Sequence, residues 1–320
     1  MNARSFLVAG SLILAATSAH AQQQLLVGST STSSSHYGYF VAVANIINES
    51  VDGVDASVVE TGATLDNIRR MERDQIDLGL VTTNVAQHAV AGTHEFEEGA
   101  ADLQLLWVYT AAPQNVVVRQ DSGAETLADL DGVVFNPGIR GSATEATSEA
   151  VFAALGITPD YVRGSTTDVV DMIRDNRIAG YVKSGAGNAL DSSTIDIATF
   201  TPIRVLSLTE EQADTLRSEM PDISVVDVPG MADYDIPAYT TWSFGVGVAA
   251  TSAMDEETAY QIVSAIMADE TVQGAAMASV AGADLAQLTL TYGTIPLHPG
   301  AARWFEEQGL ELPDRLQSAE

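Results

Sequence analysis

The chain has 320 residues, no cysteine, and 14 basic against 43 acidic side chains, for a formal charge of −29. Without cysteine it has no disulfide framework, no thiolate metal site and no thiol nucleophile. So acidic a chain has no basic face for nucleic acid or for an anionic membrane surface, and its length is enough for two compact lobes. The acids are spread along the chain rather than gathered in a tail, which reads as a solubility coat suited to high salt. Against that background any cation in a pocket is informative, and Lys183 is the only lysine.

The first residues read as a secretory leader. Arg4 supplies the positive start, Phe6 to Ala16 the apolar run, and Ala19-His20-Ala21 a small-x-small cleavage site, which places the mature start near Gln22 and the mature protein in the periplasm. The apolar run is too short for a membrane-spanning helix, which needs about 20 residues. Leu25–Val27 then predicts a strand, and after a polar loop Phe40, Val43, Ala44 and Ile47 share one helix face. Ala56–Val59 predicts a strand, Thr64 a helix cap before Leu65, Ile68 and Met71, and Ile76–Val81 a third strand. The pattern repeats with a strand at Val133–Phe135, a helix from Ser142 and a strand at Tyr161–Arg163. A helix face with Val169, Met172 and Ile173 follows, then a strand at Ile178–Val182.

This βαβα order implies parallel sheets covered by helices. MERDQIDLGLVTTN from Met71 and MIRDNRIAGYVKSG from Met172 align without gaps and share five of fourteen positions. Their place at the same step of the two series predicts an α/β protein of two similar lobes, with Thr82–Asn84 and Lys183–Gly185 at equivalent strand ends. Ligands in open α/β sheets sit beyond such ends, so facing lobes make a cleft. The expected division is residues 22–114 for the first part of lobe one, 115–243 for lobe two, and 244–320 for a return to lobe one with C-terminal helices. Chain crossings are expected near Asn115–Arg119 and Trp242–Ala249, both β-rich.

Asn136–Gly156 (NPGIRGSATEATSEAVFAALG) runs from a strand through a Gly/Pro loop into a helix. Ser142 and Glu145 have capping-box spacing, and such a start offers free N–H groups and a positive dipole end to a carboxylate or phosphate. Arg140, inside the loop, can fork onto a carboxylate; the same pattern also fits a plain capped helix with Arg140 in solvent. Gly28–Phe40 (GSTSTSSSHYGYF) lies between strand and helix, so its hydroxyls and N–H groups can hold polar solute groups. Lys183 stands at a strand end, where a cleft role competes with an ordinary surface one. Tyr109 either lines the pocket or belongs to the core. His88 and His94, near Glu95, Glu97 and Glu98, do not have a zinc spacing, and Gly245 and Gly247 lack the rest of a dinucleotide fingerprint. No cofactor or metal is expected.

Several blocks together resemble the solute-binding proteins of the TAXI branch of TRAP transporters. GSTSTSSSHYGYF, ETGATLDNI, RDQIDLGLVTTNVAQHA, PGIRGSATE and TIPLHPGAARWFEEQG occur in that family's order and cover nearly the whole mature chain. The resemblance implies a periplasmic-binding-protein fold of type II, a hinged cleft without catalysis, and delivery of solute to an ion-driven membrane permease. It also implies small acids such as glutamate or 2-oxoglutarate as ligands. Carried over by block, Ser33, Ser34, Ser35, His36 and Tyr37 stand where the family has Gly-Gly-Thr-Tyr-Tyr. Thr82, Thr83 and Asn84 replace Gln-Ser-Asp, and Gly141, Ser142, Ala143 and Thr144 replace Gly-Ser-Gly-Thr. These departures make the cleft less acidic or add donors, which favours an anionic ligand.

The expected site therefore takes Ser33, Ser35, Tyr37, Thr64, Thr82, Asn84 and Tyr109 from one lobe. Arg140, Gly141, Ser142, Ala143, Thr144, Lys183 and Ser184 come from the other. A monomer is expected, working with permease subunits. Two rival readings remain: an exported sensing subunit for a membrane kinase, with the same cleft, and an exported hydrolase using Ser35. The hydrolase would need a base, and no nucleophile-elbow pattern surrounds Ser35 and His36.

Overall fold

The computed structural model describes residues 22–318; the expected leader and the cleavage point expected near Ala21 lie outside them. The chain opens as β1 (Gln23–Gly28), α1 (Ser35–Ser50), β2 (Val54–Val59), α2 (Thr64–Met71), β3 (Leu78–Thr82) and α3 (Thr83–Ala91). A long strand, β4 (Gln104–Arg119), carries it into a second series. That series is β5 (Val134–Phe135), α4 (Ala143–Ala154), β6 (Asp160–Tyr161), α5 (Thr166–Arg174), β7 (Gly180–Ser184) and α6 (Ser192–Phe200). After β8 (Ile203–Leu206), α7 (Glu210–Glu219) and β9 (Ser224–Val228), a second long strand, β10 (Tyr239–Ala250), returns. Four helices close the chain: α8 (Glu256–Ala268), α9 (Val272–Ala276), α10 (Leu285–Tyr292) and α11 (Pro299–Glu307).

The main sheet runs β2-β1-β3-β10-β4-β7. β1 pairs in parallel with β2 and β3, and β3 pairs antiparallel with β10, with Thr82 opposite Val246. β5 and β6 pair in parallel, and a parallel bridge from Asn136 to Tyr181 joins β5 to β7, which pairs antiparallel with β4. The series β6-β5-β7-β4 thus repeats the plan of β2-β1-β3-β10. Two α/β lobes of one plan result, as the fourteen-residue repeat suggested. β4 and β10 serve both: they pair with each other from Gln104–Ala250 to Pro113–Ser243. Beyond that point β4 turns to β7 and β8, and β10 to β9.

The cores follow this division. One cluster joins Val27, Phe40, Val43, Ile47, Ile68, Leu80 and Trp107 to Val248 and to Ile262, Ile266 and Phe305 of the C-terminal helices. Two further clusters lie within residues 116–242, around Phe135, Phe152 and Trp242 and around Val169, Ile173, Tyr181 and Ile197. All five residues of β3 are buried, as expected of a strand covered on both faces.

Local expectations needed adjusting. The strand foreseen at Ile76–Val81 starts at Leu78 and reaches Thr82, and that foreseen at Tyr161–Arg163 is only Asp160–Tyr161. Thr64 is the first residue of α2; the cap position belongs to Ala63, held at φ 69°. Met172 packs only in part, whereas Val169 and Ile173 are buried.

Candidate functional site

The site grows from strand ends that turn directly into helices. After β5, Asn136 turns the loop back by accepting the Gly138 N–H on its side chain, 3.0 Å away. Gly138 (φ 142°) lets the loop lie against α4, since a Cβ there would sit 2.6 Å from the Glu145 nitrogen. Ser142 caps α4 by accepting the Glu145 N–H at 3.1 Å. The return half of the foreseen capping box is displaced by one residue. Glu145 accepts the N–H of Gly141 at 2.7 Å, because the Ser142 N–H is taken by the Ile139 carbonyl. The Gly141 carbonyl in turn accepts the Leu65 and Asp66 N–H groups at 3.0 and 3.3 Å, so the loop of one lobe caps α2 of the other.

Between the lobes lies a small cavity walled by residues of both. The starts of α1, α2 and α4 and the strand-to-helix step at Thr82 all reach it, through Ser34, Thr64, Thr82 and Ser142–Thr144. First-turn N–H groups lack partners within their own helices, and the helix dipoles add positive potential at the same end. Two buried hydroxyls on the wall, those of Thr64 and Thr82, have no hydrogen-bond partner among the described residues. Leaving such groups unpaired costs about 1–3 kcal/mol each, so a ligand that pairs them gains that much. Leu80, Ile139, Val182 and Val246 supply an apolar part of the wall.

Lys183 is the only side chain of fixed charge among the described residues on this wall. The residue is 8 % exposed, and its ammonium lies 3.6 Å from Asp191 Oδ1 and 3.4 Å from Ser34 Oγ. Asp191 is fully buried and caps α6 through the Ser193 N–H at 3.0 Å. Its other oxygen reaches across the lobes to Ser34 Oγ at 2.8 Å and the Ser35 N–H at 2.9 Å. Burial works to raise its pKa, but the charge of Lys183 and the Ser193 hydrogen bonds outweigh it and hold the carboxyl below its ordinary range. His36 lies beside this pair. Its Nε2 faces the Gly185 carbonyl at 3.2 Å and so donates, leaving Nδ1 to accept from Tyr109 OH at 2.8 Å. Burial drives the His36 pKa down to about 4, with Lys183 adding to the fall and Asp191 opposing it, so the ring is neutral at pH 7.

Of the expected residues, Thr64, Thr82, Ser142, Ala143, Thr144, Lys183 and Ser184 come together on the cavity wall. Thr144 and Ser184 share their hydroxyls at 3.0 Å and both meet the side-chain oxygen Oε1 of Gln114, at 2.9 and 3.1 Å. Ser33 and Ser35 face the other lobe: Ser35 Oγ accepts the Ser192 N–H at 2.9 Å, and the Ser33 carbonyl accepts Ser192 Oγ at 2.8 Å. Asn84 ties the lobes through Thr147 Oγ1 at 2.9 Å, away from the cavity. Tyr109 stacks on Tyr39 below the wall, and Gly141 and Tyr37 are not on it. Arg140 is exposed. It lines a second, outer cavity with Arg70 and Arg163, separated from the first by Ile139, which belongs to both.

Sequence reasoning missed Asp191 and Ser192, the cross-lobe ties, and Thr30, Ser34, Leu80 and Val246 on the wall. Asp191-Ser-Ser-Thr ahead of an apolar run is a helix-cap signal, and a lone buried lysine calls for a buried acid. Together they point to Asp191.

Solved structures share the fold. A ligand-binding component of an ABC-type import system from Staphylococcus aureus, with zinc bound, matches at a TM-score of 0.51 and 13 % identity, over 93 % of this chain and 97 % of its own. An ancestral arginine-binding protein bound to arginine matches at 0.51 and 15 %, over 80 % and 97 %. A protein from Bordetella bronchiseptica RB50 matches at 0.53 and 15 %, over 91 % and 90 %. The two-lobed α/β architecture is that of such binding proteins, and residues 27–309 match the family model described as NMT1-like. With that match over most of its length, the chain belongs to the NMT1-like family.

Proposed function

We infer that the protein is an exported solute receptor that closes its two lobes over a small organic anion and delivers it to a membrane transporter, without catalysis. The observation that carries this reading is the pair of buried, unpartnered hydroxyls of Thr64 and Thr82. They face a cavity built by both lobes, beside three helix starts and Lys183. Such a wall leaves these two hydroxyls free for a carboxylate, whereas the Ser35, Leu65 and Asp66 N–H groups beside them are already taken. Closure follows because the ligand meets Thr64 and Thr82 on one lobe and Ser142–Thr144 on the other, and only the closed form offers both sets. The joint lies where β4 and β10 pass between lobes, near Pro113 and Ser243; short strand segments of this kind absorb hinge rotation.

The five ordered sequence blocks favour a TRAP-type secondary transporter of the TAXI branch as the partner, and the leader-like first residues favour the periplasm. A hydrolase is disfavoured by hydrogen bonding: Ser35 Oγ is engaged by Ser192, and both His36 nitrogens are engaged by Tyr109 and Gly185. A thermal-shift screen of small organic acids tests the reading, since a ligand that binds only the folded state raises Tm. Carboxylates that raise Tm, with the shift lost in Lys183→Met, support it. A shift by cations or neutral sugars alone refutes it.

A further inference from the structure

We propose that the solute is a compact monocarboxylate with a short aliphatic chain and no ammonium group: a simple or 2-oxo acid rather than an amino acid or a dicarboxylate. The inference rests on the solute-receptor reading above and narrows it.

An amino acid needs an acceptor of negative charge for its ammonium group. Among the described residues no acidic side chain lines the inner cavity. The nearest acid in the site, Asp191, is already saturated. Its two oxygens take Ser34 Oγ, the Ser35 N–H, the Ser193 N–H and Ser193 Oγ, with Lys183 alongside. A carboxylate has about four lone-pair positions, so Asp191 has none left for a ligand and lies behind the wall at 0 % exposure. A ligand ammonium would enter without a counter-charge beside the Lys183 ammonium, which repels it.

A dicarboxylate meets the opposite shortage. The wall carries one fixed cation, Lys183, and Asp191 balances it. One carboxylate can be met by the helix starts and by the free hydroxyls of Thr64 and Thr82. A second would have no cation of its own, and would meet either hydroxyls already engaged, as Thr144 and Ser184 are with Gln114 Oε1, or the apolar side chains of Leu80, Ile139, Val182 and Val246. The apolar side chains suit an alkyl chain, and the smallness of the cavity keeps that chain short.

Calorimetric titration with matched four-carbon ligands isolates the ammonium: butanoate and 2-oxobutanoate against 2-aminobutanoate, with glutamate and 2-oxoglutarate for the second carboxylate. The expected result is that butanoate or 2-oxobutanoate binds at least 30-fold more tightly than 2-aminobutanoate and more tightly than either dicarboxylate. Equal or tighter binding of 2-aminobutanoate overturns the inference. So does tighter binding of glutamate or 2-oxoglutarate, which would place a second carboxylate past Ile139 at Arg140; in both cases the receptor reading stands. Binding of none of the five overturns the inference and leaves the receptor reading to the wider acid screen.

Discussion

Replacing Asp191 by Asn keeps the side-chain shape and removes one charge at the point where the lobes meet. Oδ2 takes two donors from the first lobe, Ser34 Oγ at 2.8 Å and the Ser35 N–H at 2.9 Å, while Oδ1 takes the Ser193 N–H at 3.0 Å. An amide has one acceptor oxygen. Turned to the first lobe it sets its NH2 against the Ser193 N–H; turned to Ser193 it presents NH2 to the Ser35 N–H. Either way at least one hydrogen bond to a charged group is lost, worth about 1.5–3 kcal/mol. Lys183, 3.6 Å away, also loses its buried counter-charge. Opening exposes both side chains to water, so most of this cost falls on the closed state. The closed form is therefore expected to lose about 2–4 kcal/mol, and ligand affinity to drop by about 30-fold or more. Calorimetry reads the affinity, and small-angle scattering should show the ligand-free variant more open than the parent. Unchanged affinity together with an unchanged radius of gyration would refute the latch. Because the Asp191 carboxyl is depressed in the fold, its contribution should persist above the ordinary value of 3.8 and vanish as pH falls through the lower folded value.

Thr82→Val removes a hydroxyl that has no partner in the ligand-free protein. Denaturant melts should show stability unchanged or slightly raised, while carboxylate affinity falls about tenfold; an equal loss in both would mean the hydroxyl is structural. Arg140→Ala should alter the association rate and its salt dependence a few-fold with little change in Kd, as expected of an exposed rim charge. A 30-fold loss in Kd by titration would instead put Arg140 on the ligand. His36 is held neutral with its pKa lowered to about 4, so between pH 6.5 and 4 the unfolded chain binds the extra proton. Stability from this residue is full above pH 6.5 and falls by about 3 kcal/mol as pH drops to 4. His36→Gln can keep both hydrogen bonds, and its urea-melt profile should be flatter over that window by that amount. Parallel profiles would contradict the assignment.

The parts of the fold visible in the sequence are those set by local pattern. Phe40, Val43, Ala44 and Ile47 repeat at helical spacing and are all buried in α1. Met71 and Met172 open the repeat that carries Thr82 and Lys183 at matching positions, and both of these residues reach the same cavity. Ser142 caps α4 because its chemistry acts three residues away. What stayed hidden depends on distance along the chain. Asp191 meets Ser34 across 157 residues, and nothing in Asp-Ser-Ser-Thr says that the cap also spans two lobes. Serine positions within Gly28–Phe40 could not be ranked from sequence, because the helix phase decides which hydroxyl faces inward. Ser34 reaches the cavity, whereas Ser33 and Ser35 meet Ser192. For Arg140, a cation in a glycine loop, the sequence fits both a carboxylate fork and a residue in solvent; the positive φ of 79° at Gly141 turns the chain just after it, and its side chain opens to the outer cavity.

The most direct test is a crystal structure with a small carboxylate bound. The account predicts the carboxylate in the inner cavity, within hydrogen-bond distance of the Thr64 and Thr82 hydroxyls and of the Ala143 or Thr144 N–H. A carboxylate held by Arg140 in the outer cavity, with both threonine hydroxyls still unpaired, would contradict it.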